Sequence, residues 1–239
     1  MIKKKLNQND IYVQELIDTV EPKFIFSKEP INRFRVIKSD RKERNPNKTD
    51  QLLSLKKQID SIENCNLKNN SKNLVMGCGE IESNVMLIGE APNEIEDETG
   101  KPFQGEVGSL LKKMLSAINL KIEKTYLTYA INFRPPYDRK PTSTEIKRYS
   151  VFLKEHISIV NPEIIILMGT TAMEAVTGIN KKITTERGHW MEVILKNKTF
   201  PLMITFNPSY LIRFPENKKY SWEDLKKIRD KIKDLKLKI

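Results

Sequence analysis

The stretch from Asn84 to Leu111, NVMLIGEAPNEIEDETGKPFQGEVGSLL, constrains the fold more than any other. A short apolar run of strand length, Val85 to Ile88, breaks at Gly89 into a segment with five acidic residues between Glu90 and Glu98. That segment is poor in apolar residues, which predicts an exposed loop. After Gly100, Pro102, Phe103 and Gly105 a helical pattern sets in, with Leu110, Leu111, Met114, Leu115 and Ile118 on one face. Strand, polar loop and helix in that order bring backbone N–H groups and carboxylates to the carboxyl end of a strand, where open α/β sheets bind ligands. An ordinary strand-to-helix connection with a solvated acidic face has the same composition. The rest of the chain has to separate the two.

The alternation continues. Leu52, Leu55 and Ile59 lie at helical spacing between Gln51 and Cys65, and Thr125 to Arg134 (TYLTYAINFR) reads as a second buried strand before the rigid turn PPYDRKP. Thr142 and Glu145 form a capping box for a helix through about Ile159, stopped by Asn161-Pro162. Glu163 to Gly169 (EIIILMG) is apolar throughout, as the middle of a parallel sheet requires. A short helix from Thr171 to Val176 follows, then two neighbouring strands, Trp190 to Leu195 and Phe200 to Thr205, and a basic terminal helix from Ser221 to Leu237. This order predicts a three-layer α/β/α fold with a central, mostly parallel sheet. Residues 1–50 read as a basic N-terminal extension and 51–239 as the domain. The extension holds amphipathic pieces at Ile11 to Val20, Phe24 to Phe26 and Phe34 to Ile37, then a basic, turn-rich stretch from Ser39 to Asp50.

The net charge of +11 is unevenly spread. Basic and acidic residues number 16 and 12 in 1–84, 11 and 12 in 85–180, and 15 and 7 in 181–239. Positive flanks around a neutral, carboxylate-bearing centre suit a phosphate-backbone binder with an acidic pocket; a lysine-rich proteome would also raise the total. No run reaches the roughly 18 apolar residues of a membrane span, and MIKKKLNQND lacks a signal-peptide core. A soluble, cytoplasmic monomer is expected. The two cysteines, Cys65 and Cys78, and two histidines exclude a disulfide framework and an ordinary zinc site.

GEAPNEIEDETGKPFQGEVGSLL closely resembles the first motif of the family 4 uracil-DNA glycosylases: GEAPG, an acidic run, then G-x-PF-x-G-x-x-G-x-LL. FNPSYLIR, Phe206 to Arg213, resembles that family's other motif, HPSYLLR. Taken alone, N-P-S-Y is an ordinary Asx-type turn. With the first motif and the FRPP segment at family-like spacing, the resemblance implies a DNA glycosylase. It implies that Tyr210 and Leu211 wedge into the base stack, that Ser209 contacts a phosphate with Arg134 and Arg213 also on DNA, and that Phe103 is an aromatic floor for a flipped base. An apolar wedge helps offset the few kcal/mol that unstacking costs.

Departures from the family pattern carry the rest. The family's iron-sulfur ligand positions fall on Ile62, Cys65, Phe133 and Tyr149. One thiolate cannot hold a four-iron cluster, so no cofactor and no metal are expected, with apolar and aromatic packing in their place. The family His is Asn207, whose amide can still donate to the charge that builds on pyrimidine O2. The Asn that reads the uracil edge is Tyr129, which lacks the paired amide donor and acceptor; a register shift would offer Asn132 instead, on the opposite face of a strand. Ala91 stands where family 1 enzymes place a water-activating Asp. Glu90, Glu94, Glu96 and Asp97 are the carboxylates within reach, and of these Glu90 first and Asp97 second are expected to position water or stabilise the cationic sugar. Asn93 stands where family 1 has a Tyr against the pyrimidine 5-position, and its smaller side chain leaves room for a substituent there.

The expected function is therefore excision of a modified, 5-substituted pyrimidine to leave an abasic site, read as anti-phage defence. Uracil or deaminated-base repair is the competing enzyme reading. A catalytically silent DNA-binding protein is the third.

Overall fold

The computed structural model describes residues 47 to 237. The amphipathic pieces and most of the basic stretch of the N-terminal extension lie outside the described residues.

Helix α1 (Lys48–Asp60) opens at Asn47, whose side chain accepts the Asp50 N–H, and it buries Leu52, Leu55 and Ile59. A short α2 (Asn66–Asn70) and the edge strand β1 (Cys78–Gly79) lead into β2 (Val85–Gly89). Then come α3 (Glu94–Thr99), α4 (Gly105–Ser116), β3 (Tyr126–Tyr129), α5 (Ser143–Val160), β4 (Ile164–Met168) and α6 (Thr170–Thr177). The order closes with α7 (Ile183–Glu186), the hairpin of β5 (Trp190–Leu195) and β6 (Lys198–Thr205), α8 (Pro208–Arg213) and α9 (Lys218–Asp234).

Among the described residues six strands form one sheet in the order β1-β3-β2-β4-β6-β5. β2 runs parallel to β3 and β4, and β4 parallel to β6; only the edge strands β1 and β5 are antiparallel. Successive strand residues point to opposite faces, and each face meets its own helices. Met86, Ile88, Ile165 and Leu167 pack with the apolar sides of α1, α5 and α6, whereas Val85, Leu87, Ile164 and Ile166 pack with α4 and α9. Helices on both faces explain why β2 and β4 read as unbroken apolar runs. The three-layer α/β/α fold expected from the sequence is the one observed.

α5 follows its sequence signals closely. Thr142 and Glu145 close the capping box, and Asn161 ends the helix in the left-handed conformation at φ 55. Inside, His156 Nε2 and the Tyr126 hydroxyl lie 2.8 Å apart, both buried. Burial pushes the His156 imidazole down to about 4.

Two expectations fail for physical reasons. The acidic segment is not an exposed loop: Glu94–Thr99 is helical, with an Asn93–Glu96 capping box and a left-handed Gly100 to stop it. Its Glu96 and Asp97 are only 1% and 2% exposed. The strand expected over Thr125 to Arg134 pairs only from Tyr126 to Tyr129. Ala130 and Ile131 still donate to the carbonyls of Gly89 and Glu90, but β2 ends at Gly89, so the segment loses its regular ladder while staying buried.

Candidate active site

β2, β4 and β6 are parallel neighbours, so their carboxyl ends lie on one side of the sheet, and the residues after each converge there. Glu90 follows β2, Gly169 to Thr171 follow β4, and Asn207 follows β6. Gly169 adopts φ 103, and a Cβ at this position would collide with the Glu90 carboxyl group. Glycine therefore lets that carboxylate lie across the start of α6. Glu90 Oε1 accepts the Thr171 N–H at 3.0 Å and the Thr170 hydroxyl at 3.3 Å. The other oxygen, Oε2, lies 3.5 Å from Asn207 Nδ2.

Asn207 is fixed by its place in the chain. As the N-cap of α8, its Oδ1 accepts the Ser209 N–H at 3.0 Å, as capping geometry demands. The amide NH2 is thereby turned the other way, towards Glu90 and the Met168 carbonyl at 3.4 Å. One carboxylate oxygen and one amide donor thus face each other over a short gap. The two strongest catalytic candidates of the sequence are brought together although they are 117 residues apart.

A cleft of about 710 Å³ opens beside this pair. Ala91, Pro92 and Asn93 line it after β2, Tyr129 at the end of β3, and Ser209, Tyr210, Ile212 and Arg213 from α8; Pro135 and Asp138 to Pro141 line it from the turn before α5. That turn is braced by charge. Arg139 Nη2 lies 2.7 Å from Glu145 Oε1, and this hydrogen-bonded guanidinium pulls the Glu145 carboxyl down to about 2.

Tyr129 is the largest change from expectation. Its ring stacks on Phe103 with centroids 4.7 Å apart and planes inclined by 29°. Its hydroxyl donates to Glu96 Oε1 at 2.6 Å and accepts the Phe103 N–H at 3.2 Å. Gly89 makes the stack possible, since a Cβ there would stand 2.6 Å from the Tyr129 ring and 2.8 Å from that of Phe103. Glu96 also accepts the Asn93 N–H at 2.9 Å and the Gln104 N–H at 3.1 Å. Burial raises the Glu96 carboxyl above its ordinary range, with these donors opposing it, and burial together with Glu96 raises the Tyr129 phenol well above its own. The phenol keeps its proton and acts as a donor. Phe103, expected as the floor for a base, does not line the cleft; Tyr129, Phe206 and Tyr210 are the aromatic residues that do.

Three other expected residues sit elsewhere. Asp97 does not line the cleft, because its carboxylate accepts the N–H groups of Lys72 and Asn73 at 3.0 to 3.1 Å and ties that segment to α3. Leu211 is fully buried on the inner side of α8, so it cannot press into a groove while α8 holds its place. Arg134 lies off the cleft, bound to Asp138 by Nε–Oδ1 at 2.7 Å and Nη2–Oδ2 at 3.2 Å. Sequence reasoning passed over Thr170 and Thr171, which anchor Glu90, and Ile212, the half-buried apolar residue that α8 does offer to the cleft. Their positions follow from the end of β4 and from helical phase, neither of which a motif match carries.

The positions that hold an iron-sulfur cluster in family 4 do not fit one here. Cys65 Sγ lies 3.2 Å from the Tyr149 hydroxyl, Phe133 meets Tyr149 edge-on at 6.3 Å, and Ile62 packs on the same core. A lone thiol among two aromatic rings and an aliphatic chain is core packing.

The family model for the uracil DNA glycosylase superfamily matches residues 76–228. A type-4 uracil-DNA glycosylase of Thermotoga maritima is 36% identical over 172 residues, covering 71% of this chain and 88% of that protein. Type-4 enzymes of Sulfurisphaera tokodaii and Archaeoglobus fulgidus are 33% and 29% identical, covering 76% and 75% of this chain and 84% and 92% of theirs.

Proposed function

Because the chain belongs to the uracil-DNA glycosylase superfamily, we propose that it is a DNA N-glycosylase whose chemistry rests on Glu90 and Asn207 and whose base pocket, rebuilt around Tyr129, takes a 5-substituted pyrimidine. The observation that carries the base class is the Tyr129–Phe103 stack tied to Glu96. A buried phenol stacked on Phe103 and locked to a buried carboxyl group offers no amide pair to the edge of a base, so recognition by that edge gives way to recognition by shape. Asn93, held as the N-cap of α3, leaves room at its side of the cleft.

In the reaction a flipped nucleotide enters the cleft. The C1′–N1 bond breaks, its electron pair leaves with the base, and positive charge builds on the sugar. Glu90, pinned through one oxygen, offers the other to that charge and to a water molecule. The water oxygen bonds to C1′ and its proton passes to the carboxylate. Asn207 Nδ2 donates to the negative charge developing on pyrimidine O2, and the base takes up a proton on release. Ser209 and Arg213 serve the phosphates, and Ile212 with Tyr210 fills the stack. Removing such a base suits defence against phage DNA. Residues 1–50 act as a separate basic extension in this reading.

The names of the relatives favour a second reading, release of uracil. Abasic-site formation separates the two. Duplexes carrying uracil, thymine, cytosine or a 5-substituted pyrimidine, bare or glycosylated, are incubated with the protein and cleaved with alkali. Cleavage confined to the substituted bases supports the proposal; robust release of uracil with none from substituted DNA refutes it.

A further inference from the structure

In the middle of the turn that lines one side of the cleft, between Pro135 and Pro141, Tyr137 stands 98% exposed. Its backbone is left-handed at φ 57 and ψ 26, and Asp138 follows at φ 55. Asp tolerates that region through its short polar side chain, but an aromatic residue is disfavoured there, and glycine would be free of the strain. The Asp138 carboxylate is held by both Arg134 bonds, so the turn is kept in shape from inside. Tyr137 contributes nothing to that: among the described residues it has no hydrogen bond and no ring contact. A large apolar ring is thus held in water, at a conformational cost, on the rim of a cleft. Beside it Lys140 is exposed and has no ion pair among the described residues.

We propose that Tyr137 is a stacking platform for an unpaired base of the DNA next to the extruded nucleotide. Every base offers a π-face, so such a contact grips the opened duplex without reading sequence, and Lys140 stands where the adjoining phosphate would pass. The proposal rests on the glycosylase reading above but uses none of its catalytic groups.

The test compares the full chain with Tyr137→Gly and Tyr137→Phe. Binding is followed by anisotropy on a duplex with a tetrahydrofuran abasic analogue flanked by a 2-aminopurine that has no partner base, whose fluorescence reports stacking. Tyr137→Gly should raise Tm by about 2–4 °C through relief of backbone strain, yet weaken binding about ten-fold and abolish the 2-aminopurine quench. Tyr137→Phe should keep the native Tm, affinity and quench. Binding by Tyr137→Gly within about two-fold of the wild type, or a fall in Tm that accompanies the lost affinity, would overturn the platform and leave the glycosylase reading standing. A wild-type protein that bound none of these duplexes would overturn both.

Discussion

The two ends of the cleft are built on opposite principles. At one end Glu90 and Asn207 each spend half of their hydrogen-bonding capacity on the fold, Oε1 on Thr170 and Thr171 and Oδ1 on Ser209, and leave Oε2 and Nδ2 facing each other at 3.5 Å. At the other end Tyr129, Glu96 and Phe103 satisfy one another: the phenol donates at 2.6 Å, accepts at 3.2 Å and stacks at 4.7 Å. The first end is preorganised and incomplete, as a site that meets developing charge must be. The second is closed. The proposed reading follows from this contrast: the superfamily's chemistry kept at the first end, and its means of recognising a base exchanged at the second.

The most severe way to break the comparison is at the incomplete end. Glu90→Gln keeps the bonds to Thr170 and Thr171 but removes the charge, and abasic-site formation should fall by about a hundred- to ten-thousand-fold with DNA affinity retained, as single-turnover rates and anisotropy will show. Asn207→Ala should cost about a hundred-fold or more in turnover. Because Asn207 also caps α8, Asn207→Ser is the companion probe: its hydroxyl oxygen keeps the capping acceptor without adding charge beside Glu90, and the amide donor is lost, so an equal fall assigns the effect to that donor.

Acid should weaken the support under both ends alike. His156 titrates near 4 in the fold against about 6.5 when unfolded. Between those values the unfolded chain binds more protons, so this contribution is complete above pH 6.5 and is lost as pH falls towards 4, by up to about 3 kcal/mol. Denaturant midpoints at pH 7 and pH 5 will measure the loss, which should vanish in His156→Gln while the ratio of activities on two substrates stays fixed. The smallest effect belongs to the closed end. Tyr129→Phe leaves Glu96 without its phenol donor and the Phe103 N–H without an acceptor, which should cost about 2 kcal/mol of stability, with the Glu90-dependent rate changed only a few-fold.

Much of this was legible from residues close together in the chain. The Thr142–Glu145 box, the Asn161-Pro162 stop and the apolar runs of β2 and β4 each carry their own local cause, and the structure follows them. The Glu90–Asn207 pairing was legible only because two motifs fall after parallel strands. Hidden were the features made by distant partners. Glu96 and Asp97 look like solvated acids until Tyr129 and the backbone of Lys72 and Asn73 are brought to them. Leu211 looks like a wedge until the phase of α8 turns it inward and offers Ile212 instead. Tyr129 was recognisable as a substitution, but its stacking on Phe103 depends on Gly89 leaving room between two rings.

The most direct measurement is the rate of abasic-site formation on matched duplexes carrying uracil or a 5-substituted pyrimidine, with the wild type and Glu90→Gln side by side. A kept chemistry with an exchanged pocket requires cleavage at the substituted base, little at uracil, and loss of both in Glu90→Gln. Efficient release of uracil alone would contradict the exchange, and cleavage that survived in Glu90→Gln would contradict the chemistry.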